Sequence, residues 1–369
     1  MKPLDTRKVQ RLLVRGTNWV GDSVLSLPAL RQIRECFTHA RITLLVLPWV
    51  SGVYEDCAAV DEVLIYDRER THWGVWGKLR LIQDLRKHQF DAAILFQNAF
   101  EAAVVTALAG IPIRAGYDRD SRGWLLSHKA KLDPQIFGLH QTFYYADLVD
   151  QLLGCRRSAL MAPRQEPSRF AAAAMPDIGL HVGSLRKHQA RTALQMQGVD
   201  FGRTVVGVNP GAHYGSAKRW LSESYAALLD RLVQERNASV VIFGAPKERA
   251  IAETIQSAMR YKPIILSGKT QLAELIAMIS CCDLFITNDS GPMHLAAALR
   301  VPMVAIFGST DEIATGPMSP AAVVVNKRVE CSPCLLRECP IDHRCMTRIS
   351  VDEVYQQAVR VIGQSREQR

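Results

Sequence analysis

Three short segments of this chain bring acids, bases and glycines together in patterns that suit group transfer. The first is Gly16-Thr17-Asn18-Trp19-Val20-Gly21-Asp22, which follows the apolar run Leu12-Leu13-Val14. Gly21 permits a close backbone approach. The Asp22 carboxylate can act as a general base, an effect of roughly a hundred- to ten-thousandfold. The plain alternative is that Asp22 caps the helix that follows. The second segment runs from Asn209-Pro210-Gly211 to Ala217-Lys218-Arg219-Trp220. Gly211 and Gly215 expose backbone N–H groups, and Lys218 with Arg219 adds positive charge, a combination that suits a diphosphate. It is neither a Gly-Lys-Ser/Thr phosphate loop nor a Gly-x-Gly-x-x-Gly dinucleotide fingerprint. The third segment is Asn288-Asp289-Ser290-Gly291-Pro292-Met293-His294, set between an apolar run and a helix of small residues. A helix start offers unbonded N–H groups and the positive end of a dipole to an anion. Asp289 can accept from sugar hydroxyls and His294 can donate. A capped helix with a packed His294 is the alternative reading. A smaller turn from Phe243 to Glu248 adds Glu248, either for ribose hydroxyls or as an ordinary first-turn acid.

The elements that must carry these segments alternate. Strand-length apolar runs are expected at Leu12–Val14, Ile42–Leu47, Val63–Tyr66 and Ala92–Phe96. Helices are expected from Leu25 to Phe37, Lys78 to His88 and Asn98 to Ala109. The pattern weakens between Gly154 and Arg203, where Pro163, Pro167 and Pro176 fall beside the run Ala171–Ala174. It then restarts, with strands at Val205–Val208, Val240–Phe243, Leu284–Thr287 and Met303–Phe307. Helices are expected at Ser222–Glu235, Lys247–Met259, Leu272–Ile279, Met293–Leu299 and Val351–Ile362. This predicts an α/β chain of two Rossmann-like parallel-sheet domains facing across a cleft. The expected boundaries are 1–175, a linker region at 176–203, 204–348, and a C-terminal helix and tail at 349–369. Ligands of such sheets bind outside the carboxyl ends of the strands.

The chain has 369 residues, more than one ordinary core. Hydrophobic residues make up 48% and charged residues 22%, a globular composition. No apolar run is long enough to span a bilayer, and the N-terminus lacks a signal-peptide pattern. The expected location is the cytoplasm. The net charge is +9, from 45 basic and 36 acidic residues, which favours acidic partners. No basic block interleaved with aromatics stands out, which argues against nucleic acid.

Nine cysteines are present. Cys36, Cys57, Cys155, Cys281 and Cys282 read as small buried hydrophobes. Cys331, Cys334, Cys339 and Cys345 cluster as C-x2-C-x4-C-x5-C beside His343. Two readings stay open there: a structural zinc site of four thiolates (an iron–sulfur cluster being the lesser metal option), or reduced cysteines packing a loop.

Taken together, Thr17 to Asp22, Asn209 to Trp220, Phe243-Gly244 and Asn288 to His294 resemble the ADP-heptose:lipopolysaccharide heptosyltransferases, glycosyltransferase family 9. The Asn-Trp-Val-Gly-Asp and Ala-Lys-Arg-Trp forms look most like heptosyltransferase II. The resemblance spans roughly Leu12 to Val361. It implies a GT-B fold, with the acceptor on the N-terminal domain and the nucleotide-sugar donor on the C-terminal domain. It implies inverting transfer of L-glycero-D-manno-heptose from ADP-heptose to a heptose of the lipopolysaccharide inner core, with no cofactor required. Asp22 is carried over as the base and Lys218 as the diphosphate ligand. Asp289, Ser290, Gly291, His294 and Glu248 are carried over to the donor, and Asn209 and Gly211 join that set. Asn18, Trp19 and Asn98 are the expected acceptor contacts. Lys78, Arg80, Arg114, Arg119 and Arg122 are read either as ligands for acceptor phosphates or as solvated surface. Peripheral contact with the cytoplasmic face of the inner membrane follows from such an acceptor. The alternatives are a nucleotide-sugar-binding protein without transfer, or a heptosyltransferase I or III type of acceptor specificity. An oxidoreductase would need the glycine fingerprint that is missing.

Overall fold

The computed structural model describes residues 3–154 and 176–367. The chain divides into two compact units, Met1–Ile178 and Gly179–Arg369. Cys155 and the prolines and alanines noted between 163 and 174 lie outside the described residues.

The first unit is built on β1 (Arg11–Arg15), β2 (Arg41–Val46), β3 (Glu62–Ile65), β4 (Ala92–Leu95), β5 (Ile113–Tyr117) and β6 (His128–Ala130). Its helices are α1 (Val20–Leu25), α2 (Leu27–Cys36), α3 (Gly74–His88), α4 (Phe100–Leu108) and α5 (Gln141–Leu153). The strand order is β3-β2-β1-β4-β5-β6, and all pairs are parallel. Strands β1, β2 and β4 are covered on both faces. That is why they read as continuous apolar runs and not as alternations.

The second unit holds α6 (Ser184–Met196), β7 (Thr204–Asn209), α7 (Ser222–Arg236), β8 (Ala238–Ile242), α8 (Arg249–Ala258), β9 (Ile264–Ile265) and α9 (Leu272–Ile279). It continues with β10 (Leu284–Asn288), α10 (Gly291–Ala298), β11 (Met303–Phe307), α11 (Glu312–Thr315), β12 (Ala322–Asn326), α12 (Arg344–Thr347) and α13 (Val351–Glu367). The order is β12-β11-β10-β7-β8-β9, again parallel. Helix α13 packs on the β7-β8-β10-β11 core through Val354, Tyr355, Ala358, Val361 and Ile362, a stripe at helical spacing.

Both sheets repeat one topology, with its reversal between the first and fourth strands of each. In the first unit that switch lies between β1 and β4, and in the second between β7 and β10. A crevice opens at such a point, so the loops after these four strands are where a ligand fits.

Several elements differ from the sequence expectation. The helix expected from Leu25 to Phe37 is two helices broken at Ser26. Pro28 supplies no N–H and in a continuous helix would clash with the Val24 carbonyl, so a new helix starts just before it. Helix α3 begins at Gly74, four residues before Lys78. Asn98 precedes α4 instead of starting it. Residues 176–203 carry α6, whose Ala190 and Leu194 are buried.

Candidate active site

In the first unit, the loop after β1 leads directly into α1. Trp19 is the N-cap residue and Asp22 stands in the first turn, so Asp22 is not the cap. Its half-buried carboxyl meets the hydroxyl of Tyr145, from α5. Burial pushes Asp22 up to about 6, while the Tyr145 hydrogen bond pulls the other way. Burial and the Asp22 charge hold Tyr145 well above its ordinary value, so it stays a neutral donor. A carboxyl at about 6 is ionised at neutral pH yet basic enough to receive a proton, which is the tuning a general base needs.

Asn18 and Asn98, from the loops after β1 and β4, flank the switch point. Asn18 Oδ1 accepts from Arg15 Nη2 at 2.9 Å, and its carbonyl accepts from Trp49 Nε1 at 2.8 Å. Trp19 is 57% exposed. Asn98 donates to the Tyr144 hydroxyl at 2.6 Å and accepts from Arg122 Nη2 at 3.0 Å. Beside them, Arg15, Asn18, Tyr66, Arg68, Gln97 and Glu101 line a small open recess. Buried Arg15 is pushed down to about 10 by desolvation and still carries its charge. It donates to the carbonyls of Gly16 and Leu45 at 2.7 and 3.2 Å.

Of the scattered cations, Arg122 is fully buried. Its guanidinium donates to the carbonyls of Tyr117 and Gln97, so it holds the β4–α4 loop and is not available to acceptor phosphates. Arg114 likewise serves the carbonyls of Leu125 and Ile111. Lys78 pairs with Glu101 at 3.3 Å and Arg119 lies over the Phe137 ring. Arg80 is exposed.

In the second unit, the loops after β7 and β10 meet across their own switch point. Lys218 Nζ lies 2.6 Å from Asp289 Oδ2, with side chains only 14% and 6% exposed. Thr310, just after β11, donates to the same oxygen at 2.7 Å. Asn209 donates to the Gly211 carbonyl at 3.2 Å and to Ser290 Oγ at 3.4 Å. Ser290 is the N-cap residue of α10, but its side chain makes no cap hydrogen bond and instead meets Thr287 Oγ1 at 3.0 Å. Pro292 follows in the first turn, and the Ser290 side chain does not close the helix start against an anion. His294 is buried within α10.

Asn288 is the strut between the two loops. It accepts from the Trp220 N–H at 3.1 Å and the Tyr225 hydroxyl at 3.0 Å, and donates to the Pro210 carbonyl at 2.7 Å. On the β8 side, a Cβ at Gly211 would lie 2.1 Å from the Glu248 carboxyl, so only glycine allows that carboxyl to sit over the loop. Glu248 also accepts from the Ala245 N–H at 2.8 Å. Buried Asn209 Oδ1, Arg219 Nε, Ser267 Oγ and Ser309 Oγ have no hydrogen-bond partner among the described residues. Several orphaned polar atoms around one set of strand ends indicate a surface built for a polar ligand. Sequence reasoning missed Tyr145, Thr310, Ser267 and Ser309. Tyr145 and Thr310 act on residues distant in the chain, and Ser267 and Ser309 are brought to the same strand ends only by the fold.

The cysteine segment braces this half. Cys331, Cys334, Cys339, Cys345 and His343 line one small recess with Ala217 and Ser309. Burial and the neighbouring cysteines push Cys345 up to about 11, so it is a neutral thiol. Among the described residues no group of His, Cys, Asp or Glu is placed to hold a metal ion. The eight described cysteines are unbridged, and of Cys36, Cys57, Cys281 and Cys282 only Cys282 is fully buried. What the segment does hold is the Lys218 loop. The Ala217 N–H donates to the Arg337 carbonyl at 3.0 Å, and the Ala217 carbonyl lies 3.0 Å from His343 Nε2. A Cβ at Gly215 would meet the Arg337 carbonyl oxygen at 2.1 Å, which fixes glycine at that contact.

The profile of glycosyltransferase family 9 (heptosyltransferase) matches residues 78–344, most of the chain. The chain belongs to glycosyltransferase family 9. It is 30% identical over 319 residues to lipopolysaccharide heptosyltransferase 2 of Escherichia coli (strain K12), covering 85% of this chain and 87% of that one. It is 28% identical over 365 residues to lipooligosaccharide heptosyltransferase 2 of Campylobacter jejuni, covering 96% and 99%. Its fold matches the solved structure of E. coli ADP-heptose lps heptosyltransferase II with a TM-score of 0.79 at 28% identity, over 97% of this chain and 100% of that one. The family resemblance drawn from the four loop motifs is borne out, as is the GT-B-like class of two Rossmann-like units. This family 9 enzyme is a glycosyltransferase.

Proposed function

We propose that this glycosyltransferase moves L-glycero-D-manno-heptose from ADP-heptose to a heptose of the lipopolysaccharide inner core, with inversion, as a heptosyltransferase II. The observation that carries the reading is the pairing of a desolvated base with an anion-suited loop set. Asp22 is poised near neutral pH in the first unit, and Lys218, Asp289, Ser290 and the α10 start converge in the second. The second unit takes the donor. Lys218 and the α10 start meet the diphosphate, and Asp289, whose Oδ2 is taken by Lys218 and Thr310, receives a sugar hydroxyl on Oδ1. Gly211 and Glu248 accommodate the ribose, with Asn209, Gly291 and His294 completing the wall. The first unit takes the acceptor, beside Asn18, Trp19 and Asn98.

Asp22 accepts the proton of the acceptor hydroxyl as that oxygen attacks the anomeric carbon. The bond from that carbon to the β-phosphate oxygen breaks on the opposite face, and ADP leaves with the electron pair. Lys218 and the helix start meet the charge that grows on the leaving phosphate, a stabilisation strongest where water is excluded. Ionised Asp22 needs no covalent intermediate, so one displacement inverts the anomeric centre.

The acceptor is lipid-linked, which places the enzyme at the cytoplasmic face of the inner membrane. Among the described residues no helix is long and apolar enough to cross a membrane. Contact with the bilayer is therefore peripheral in this reading. NMR of the product tests the mechanism: a heptoside of opposite anomeric configuration to the donor supports it, and retention of configuration rules out the single displacement.

A further inference from the structure

Helix α3 is apolar on two faces, and only one of them is used by the fold. Gly77, Leu81, Ile82 and Leu85 pack inward. Over the first two turns the opposite side and the N-cap present Trp73, Val75, Trp76 and Leu79 at 73%, 71%, 84% and 41% exposure. Two tryptophans that exposed are a large apolar commitment to solvent.

The start of the helix is rigidly held, so these rings stand on a fixed base. The His72 N–H donates to the Asp67 carbonyl at 2.7 Å, and the Asp67 N–H donates to His72 Nδ1 at 3.1 Å. A Cβ at Gly77 would lie 2.2 Å from the His72 carbonyl carbon, so glycine lets the helix press against the turn before it. The surrounding charge is basic. Arg68, Arg70, Lys78 and Arg80 are exposed over residues 68–80, against the single acid Glu69.

We propose that this end of α3 docks the enzyme on a bilayer surface carrying anionic headgroups. Trp73 and Trp76 enter the interfacial layer, and Arg70 and Arg80 meet lipid phosphates. Tryptophan favours the headgroup region, where its ring is buried and its N–H stays wet. Basic residues beside an apolar helical face are the pattern of in-plane membrane binding. The first unit's recess adjoins the same helix: Leu81, on its inward face, lines it together with Arg68, and Lys78 pairs with its Glu101. Arg68 also lies 5.2 Å from the Trp49 ring, whose N–H holds the Asn18 carbonyl. A docked α3 therefore sets the acceptor half-site at the membrane surface. The proposal rests on the reading that the acceptor is lipid-linked, but vesicle binding itself does not require turnover.

The test is co-sedimentation of the full-length enzyme with phosphatidylcholine vesicles, with and without phosphatidylglycerol. Binding is expected only where the anionic lipid is present. Each of Trp73→Ala and Trp76→Ala should weaken it roughly tenfold, and each of Arg70→Gln and Arg80→Gln about fivefold. The double tryptophan variant should keep wild-type turnover on a delipidated, water-soluble core acceptor and lose it on an acceptor embedded in vesicles. Retained soluble turnover also shows that the variant folds. Wild-type binding by the double variant overturns the proposal, as does absence of binding by the native enzyme. A fall in sedimentation coefficient on removing the tryptophans overturns it too, because the face would then join two copies of the chain. Absence of turnover by the native enzyme on both acceptors, with vesicle binding as expected, would count against the catalytic reading only.

Discussion

Replacing Asp22 by Asn should damage catalysis and stabilise the fold at the same time, with a sign that depends on pH. Burial raises Asp22 from 3.8 to about 6, which at 1.36 kcal/mol per tenfold change in acidity corresponds to about 3 kcal/mol. The folded protein holds this proton more tightly than the unfolded chain does. The stabilising contribution is therefore fully present below the unfolded value and is lost as pH rises through the folded one. Above about 6 the buried anion is a liability that an uncharged amide does not carry. Asp22→Asn should gain up to about 3 kcal/mol over the wild type near pH 8, relative to any difference near pH 4, with the change centred between the two pKa values. Urea titrations at several pH values, read by near-ultraviolet circular dichroism, measure this. The same substitution removes the base and should lower kcat roughly a hundred- to ten-thousandfold. In the wild type, kcat/KM should fall tenfold per unit below about 6 and level off above it. A stability difference that does not vary with pH would refute the desolvation argument. A flat pH–rate profile through that range would refute the assignment of Asp22 as base.

Other substitutions probe the second unit. Gly211→Ala sets a Cβ 2.1 Å from the Glu248 carboxyl and should raise the donor KM by roughly ten- to a hundredfold with the fold intact, with partial relief by adding Glu248→Ala; unchanged titration calorimetry with ADP would count against it. Asn288→Ala removes three hydrogen bonds from a fully buried strut and should cost about 3 kcal/mol or more, measured as a lower denaturation midpoint, whereas a loss well below 1 kcal/mol would mean the loops hold themselves. His343→Ala should release the Ala217 carbonyl and raise the donor KM about fivefold, with recovery in His343→Gln, whose amide can also donate; equal defects in both would point to packing instead.

The fold was legible because both units use parallel strands buried on two faces, so apolar runs such as Leu284–Thr287 and Met303–Phe307 stand out against amphipathic helices. The loops nominated for chemistry stand at strand ends beside the two switch points, where strand, glycine and polar residue follow one another in the chain. Less legible were features that depend on contacts across the fold. Tyr145 reaches Asp22 from a helix more than a hundred residues away, and Thr310 reaches Asp289 from the next strand end. Arg122 reads as a surface cation, yet it is buried among carbonyls. The cysteine spacing left a metal site and a packed loop both open, and gave no sign that residues 337 and 343 hold the Lys218 loop through Ala217. Short elements such as β6, β9 and α12 carry too few residues for a period to show.

The central claim is that one displacement, driven from Asp22, transfers heptose from ADP-heptose to a core that already bears a heptose. Incubation of the purified enzyme with ADP-heptose and a core acceptor carrying one heptose, read by mass spectrometry, addresses it directly. The account predicts an acceptor heavier by one heptose with an equal amount of ADP released, and almost no product with Asp22→Asn. Donor binding without any mass gain on that acceptor, or full product formation by Asp22→Asn, would contradict it.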